Sequence, residues 1–312
     1  FPSTWGTNQG RLVPADYEMD PEIAGRPEYR DLLGPALRSL PAVSLVLDPG
    51  DLFDPERGIY CHPRETGAEW ERRMSLEWIP PMPGGPGAGA GAAAMTASQV
   101  DGGVRIQGGW NRRPEESPKH SFRVVFRKKY GPGKWRHPLF GDEGSQEFDE
   151  FILRAGCNNT WLHWSGAERR RGDYLRDEWM RDSYAAMGHP SARGRFVHLY
   201  LNGLYWGLYN LAERPSAPFV AAHFGGKPER YDVRNADNIL SGDDTMIHAH
   251  DGGERFLRAF GGVDRSGRIE ADVAHAAGLH IRFAEIAPHC RAAAGEAIEK
   301  IEELARLADL AI

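Results

Sequence analysis

The order of segments along the chain predicts an α+β protein: strand-like apolar runs, one amphipathic helix, a tight hairpin, then helical sequence to the end. Three observations carry this expectation. Short β-branched and aromatic runs bounded by Gly, Pro and Asp recur between residues 43 and 155. Two aromatic-rich runs meet at Asn202-Gly203, a dipeptide suited to a two-residue turn whose central residues both need positive φ. From residue 252 onward alanine dominates, and Ile298, Ile301, Leu304, Ala305, Ala308 and Ile312 recur at helical spacing.

At 312 residues, 41% hydrophobic and 26% charged, the chain has the composition of a globular protein with one large or two modest domains. Cys61, Cys157 and Cys290 are too few for a disulfide framework. No apolar run reaches the ~18 residues of a membrane span, so none is expected. The first residue is Phe1 rather than Met, so the sequence reads as a fragment or processed product, with a secreted or cell-envelope origin suspected.

Residues 1–40 are polar and interrupted by Pro2, Pro14, Pro21, Pro27 and Pro35, which predicts an extended arm with one short helix over 27–37. Val43 to Leu47 forms a strand closed by the turn residues Asp48-Pro49-Gly50. Residues 74–79 make a second strand. Residues 81–94 contain only Pro, Gly, Ala and Met82, a composition that packs no face and predicts a flexible insertion. Three further strands are expected at 103–108, 121–127 and 148–155. Asp173 to Met187 reads as a helix, N-capped by Asp173 and closed by Gly188. Residues 195–211 read as a hairpin buried on both faces, because apolar side chains occupy both alternations. The expected division is an arm (1–40), a main region (41–251) and a helical segment (252–312).

The net charge of −6 conceals an asymmetry, since residues 105–136 carry ten Lys or Arg against Glu115 and Glu116. One basic segment in an acidic protein does not suit nucleic acid, which needs a broad basic face, but suits a compact anion such as phosphate. Within it, Arg105-Ile-Gln-Gly-Gly109 precedes Ser117-Pro-Lys-His-Ser121. Adjacent glycines let a backbone approach a ligand, and Lys119 supplies a point charge beside them. A plain glycine hairpin with a surface lysine is the simpler alternative. Asp243, Asp244, His248, His250 and Asp251 cluster densely enough to offer metal ligands, although a solvated polar loop without metal is the simpler reading. Trp161 and Trp164 suit either packing or stacking on sugars.

Val104 to Gly109, Ser117 to Phe122, Leu153-Arg-Ala-Gly156 with Asn158-Asn159, Leu175-Arg-Asp177, and Leu199 to Tyr209 ending in Glu213 follow one another in a characteristic order. The series resembles the CotH family, the spore-coat protein H group of kinase-like proteins, over about residues 40–214. The resemblance implies an atypical protein-kinase-like fold with an antiparallel sheet, a buried hairpin at about 195–211 and a helical C-terminal part. It also implies Mg-dependent phosphoryl transfer from ATP to serine-rich segments of a protein substrate. On the matching positions it places Arg105, Gly108 and Lys119 near the phosphates, with Glu213 closing the nucleotide pocket or anchoring Lys119.

The family's catalytic and metal-binding aspartates follow the Glu213 block, and nothing after it aligns with them; Asp243, Asp244 and Asp251 are the nearest candidates for metal. The chain as given is therefore expected to bind a nucleotide at most. A carbohydrate- or surface-binding module is the alternative, suggested by nine tryptophans and the proline-rich arm.

Overall fold

The computed structural model describes residues 1–82, 96–141, 144–157, 160, 163 and 165–228. The expected insertion beyond Met82, Trp161, Trp164, the cluster from Asp243 to Asp251 and the helical segment 252–312 lie outside the described residues. The first half of the chain runs β1 (Thr4–Asn8), β2 (Arg11–Pro14), α1 (Pro21–Ala24), α2 (Pro27–Ser39), β3 (Ala42–Val46), α3 (Pro49–Phe53), β4 (Arg72–Ile79), β5 (Ser98–Gln107) and β6 (Ser121–Val125). Then follow β7 (Trp135–Arg136), β8 (Glu147–Phe148), β9 (Glu150–Arg154), α4 (Gly166–Arg169), α5 (Arg176–Ala186), β10 (Gly194–Leu201), β11 (Leu204–Glu213) and α6 (Ala217–Phe224).

Seven strands close into a barrel in the order β10-β11-β9-β6-β5-β4-β3. All neighbours are antiparallel except β10 and β3, which run parallel. This overturns the expected kinase-like antiparallel sheet. A ring with an odd number of strands cannot alternate direction all the way round, so closure forces one parallel pair. The β10–β11 hairpin makes the closure. Its two edges pair with β9 on one side and β3 on the other. No barrel edge is then left to pair with another chain.

The hairpin itself forms where the sequence places it. Asn202 and Gly203 take φ of 49° and 82°, as the two-residue turn demands. The turn is also tied to β3: Asn202 Oδ1 accepts the Leu47 amide at 2.9 Å, and the Asn202 amide donates to the Leu45 carbonyl at 2.8 Å. The register slips between Leu199 and Tyr200, and the extra residue falls at Trp206-Gly207, where Gly207 has φ of 121°. A glycine inside a strand commonly marks such a bulge.

Alternate positions fill the barrel: Val43 and Leu45, Leu76 and Trp78, Val104 and Ile106, Phe122 and Val124, Phe151 and Leu153, Val197 and Leu199, Tyr209 and Leu211 are all buried. Within residues 1–40, β1 and β2 pair as a hairpin that sequence reading did not single out. That hairpin brings Trp5 and Tyr17 onto an aromatic cluster with Phe53, Tyr60 and Trp206. Its polar ends are satisfied internally, because Trp5 Nε1 donates to the Tyr17 hydroxyl at 3.0 Å and Trp206 Nε1 to the Tyr60 hydroxyl at 2.7 Å. These tryptophans pack; they do not offer a stacking platform to sugars.

The chain divides into two units, residues 1–179 with 192–249, and residues 180–191 with 250–312. The barrel belongs to the first. Of the second, residues 180–191 are described, comprising the later turns of α5 and a closing turn in which Gly188 has φ of 85°. The helix starts at Arg176 rather than at Asp173. The reason is Tyr174, whose φ of 60° is not helical. Asp173 still caps from just outside, its Oδ1 accepting the Leu175 and Arg176 amides.

Candidate functional site

β5 and β6 are adjacent antiparallel strands, and their connection carries the glycine turn. Inward residues Val104, Ile106, Phe122 and Val124 fill the barrel, so alternation sends Arg105, Gln107, Ser121 and Arg123 to the outer face. On β9 the same rule sends Glu150, Ile152 and Arg154 outward. The glycine turn folds over this outer face and encloses a cavity of about 400 Å³. Gln107 to Asn111 form one wall; Ser121, Ile152 and Arg154 form the floor; Gly156, Cys157 and Asp177 complete it. The volume lies within the usual range of small-ligand pockets.

The turn is held from behind by Arg112, a buried residue the sequence reading passed over. Its Nε donates to the Gly108 carbonyl at 2.5 Å, and its Nη1 to the Glu65 carbonyl at 2.8 Å. Gly108 itself has φ of 133°, and a Cβ there would lie 1.9 Å from Asn111 Oδ1. A side chain there would displace Asn111 and strain the backbone. Gly108→Ala is therefore expected to rearrange the turn and cost about 1–3 kcal/mol. Urea unfolding measures the loss, and an unchanged midpoint would show that the turn tolerates a side chain.

The outer face carries four arginines. Arg105 stands opposite Arg123 across the β5–β6 pair. Arg123 forms an ion pair with Glu150, which also lies 3.4 Å from Arg214 Nε. Arg154, on the cavity floor, is paired with Asp177. Arg105 is 4% exposed and is not among the cavity-lining residues.

Lys119 precedes β6 and reaches across to β11. The residue keeps some exposed surface, but its amino end is enclosed. Nζ donates to the Leu208 carbonyl at 2.7 Å and to the Tyr174 hydroxyl at 3.2 Å, and lies 4.5 Å from the Tyr209 ring centre. The bulge makes this room, since a Cβ on Gly207 would come within 3.0 Å of Nζ. Among the described residues no carboxylate is paired with it. Desolvation without a counter-charge pulls its pKa down to about 7. Next to it in sequence, burial lowers His120 to about 4, and its carbonyl accepts the Tyr209 hydroxyl at 2.9 Å.

Glu213 sits elsewhere. It ends β11, five residues beyond Leu208, which is about 17 Å along a strand. One carboxylate oxygen accepts the Ser145 amide and the other the Arg193 amide, each at 2.9 Å, with His223 Nε2 3.4 Å away. The carboxylate thus joins the loop before β8, the entry to β10, and α6. The structure does not bring Lys119 and Glu213 together; of the four residues singled out in sequence, Gly108 alone lines the cavity. Among the described residues, no three of His, Cys, Asp and Glu converge as metal ligands, and Asp243, Asp244 and Asp251 lie outside them.

A closed seven-strand barrel with a cavity under its glycine turn, and an enclosed lysine without a paired carboxylate nearby, defines the class on geometry alone: a β-barrel protein. Residues 104–255, just under half of the chain, match the family model described as CotH kinase protein. The resemblance carried by Val104 to Glu213 is thereby shown for this segment, which begins inside β5 and takes in the glycine turn, Lys119 and the hairpin. No curated protein matches the chain. No helix among the described residues is long and apolar enough to cross a membrane.

Proposed function

We propose that this CotH-like protein binds the phosphate groups of ATP at the glycine-turn cavity, with Lys119 as the charge that answers them. The observation that carries this reading is Lys119: an amine enclosed among neutral groups without a paired carboxylate, with Tyr174 between it and Gly156 in the cavity wall. An enclosed cation without a counter-charge is costly, and an anion brought alongside lowers that cost. The turn backbone and Arg154 line the space in which a phosphate would lie. Phosphoryl transfer to protein serine is the activity the family resemblance suggests, and magnesium would supply charge neutralisation to the phosphates when bound. The reading here is of nucleotide binding; Asp243, Asp244 and Asp251, the candidates for magnesium, lie outside the described residues.

The test is a thermal-shift titration with Mg-ATP on the wild type and Lys119→Met, with oligosaccharides in parallel. A ligand that binds only the folded state raises the melting temperature by mass action. Mg-ATP is expected to stabilise the wild type and to leave Lys119→Met unmoved. Stabilisation by oligosaccharide alone, or equal shifts with Mg-ATP for both proteins, would remove the nucleotide from this cavity. Radiolabelled ATP with a serine-rich acceptor then reads transfer directly.

A further inference from the structure

Tyr174 belongs to none of the sequence motifs, yet it stands between Lys119 and the cavity. A Cβ on Gly156, in the cavity wall, would lie 3.3 Å from the Tyr174 ring, and the hydroxyl at the far end meets Lys119 Nζ at 3.2 Å. Its backbone φ of 60° lies in the left-handed region, where a bulky side chain is an outlier. Glycine would take this turn freely. Such a conformation persists when the surroundings hold the residue there, which points to the side chain as what the turn retains.

The hydroxyl has one proton and two lone pairs. The shorter of its carbonyl contacts, Ala155 at 3.0 Å against Leu208 at 3.4 Å, takes the proton and leaves a lone pair for the lysine. Phe196 lies against the ring at 6.2 Å between centroids. From these contacts we infer that Tyr174 is the positioning residue for Lys119: its hydroxyl fixes the amine against β11 beside the cavity, as an acceptor that favours the protonated form. The inference rests on the reading that Lys119 answers the phosphates.

Tyr205 and Tyr209 on β11 are pushed up by burial, Tyr205 to about 12, and His120 is held down to about 4, so all three are neutral near pH 7. Asp173, beside Tyr174, turns its carboxylate to the Leu175 and Arg176 amides and to the Arg176 guanidinium. Among these groups, Lys119 is the one that titrates near neutral pH.

The experiment follows the Lys119 13Cε resonance against pH in the wild type and in Tyr174→Phe, with Lys119→Met identifying the signal. The wild type is expected to titrate near pH 7, and Tyr174→Phe roughly one unit lower, because a lone-pair acceptor of the ammonium is gone. A midpoint that stays or rises in Tyr174→Phe overturns the inference. In the wild type alone, the Tyr174 13Cζ shift should follow the same midpoint as Lys119, so a failure of the variant to fold leaves a second decisive reading; a Tyr174 shift that ignores Lys119 overturns it equally. Mg-ATP affinity supplies a further split. A one-unit fall leaves about a fifth of the protonated amine at pH 7, so Tyr174→Phe should bind about fivefold more weakly there and almost equally at pH 5.5. Weakening of the same size at both pH values would mark a merely structural role. If the wild type binds no Mg-ATP at all, the nucleotide reading fails, while the two resonances still decide whether Tyr174 holds Lys119.

Discussion

Glu213→Ala should lower the unfolding free energy by about 3 kcal/mol, an effect comparable with losing a large core side chain. The carboxylate accepts two backbone amides, Ser145 and Arg193, from separate parts of the chain, and is 3% exposed. Alanine leaves both donors without that acceptor, and a stranded buried donor costs about 1–3 kcal/mol. Glu213→Gln should fall between, since its amide keeps one accepting oxygen and presents hydrogens where the second amide donates. Urea unfolding of the three proteins measures this. A loss under about 1 kcal/mol for alanine would mean that the 145 loop and the entry to β10 are anchored by other contacts, and would return Glu213 to the list of ligand-binding candidates.

Lys119→Met is expected to stabilise the protein at neutral and acid pH, against the usual run of substitutions at enclosed sites. The sign follows from where the proton sits. The pKa of Lys119 falls from 10.5 to about 7 on folding. Between those values the unfolded chain holds the proton and the folded chain does not, so wild-type stability rises with pH through that window. Below pH 7 the folded state carries the enclosed charge and the penalty is complete, on the order of 5 kcal/mol. Methionine keeps the aliphatic stem beside Tyr209 and removes the charge. Its advantage should therefore be greatest near pH 6 and shrink as pH approaches 10.5. Parallel stability curves for the two proteins from pH 6 to 10 would show that the amine is better solvated than its contacts imply. A protein that retains such a lysine despite the cost has put stability second to a use for the charge, which agrees with the anion site proposed for it.

Local chemistry explains what was legible in advance. The Asn202-Gly203 turn was readable because positive φ at two successive residues leaves few alternatives. Strands β3, β4, β5, β6 and β9 were readable because each buries alternate residues against one core. Gly108 could be singled out because paired glycines in a turn allow close backbone approach. Gly207 left a signal too, a glycine inside an aromatic strand, although its use as the slot for Lys119 did not show. Arg112 and Tyr174 left none. An arginine that ties its own turn to the Pro63 carbonyl 49 residues away, and a tyrosine bridging a lysine 55 residues distant, obey no periodicity.

The sequence by itself determined the strands, the two-faced hairpin, the glycine turn and the family resemblance, all of which depend on residues close together in the chain. Tertiary structure decided the rest. Closure of seven strands into a ring set one parallel pair where an antiparallel sheet was expected, because direction cannot alternate around an odd circuit. It also parted Lys119 from Glu213. Both belong to the same run of motifs, but Lys119 meets β11 at Leu208 while Glu213 ends that strand five residues later, each satisfied by its own set of groups. Spacing along a chain sets which residues share a strand face; the pairing of distant strands sets which side chains meet, and that depends on edges and cover that no single segment contains.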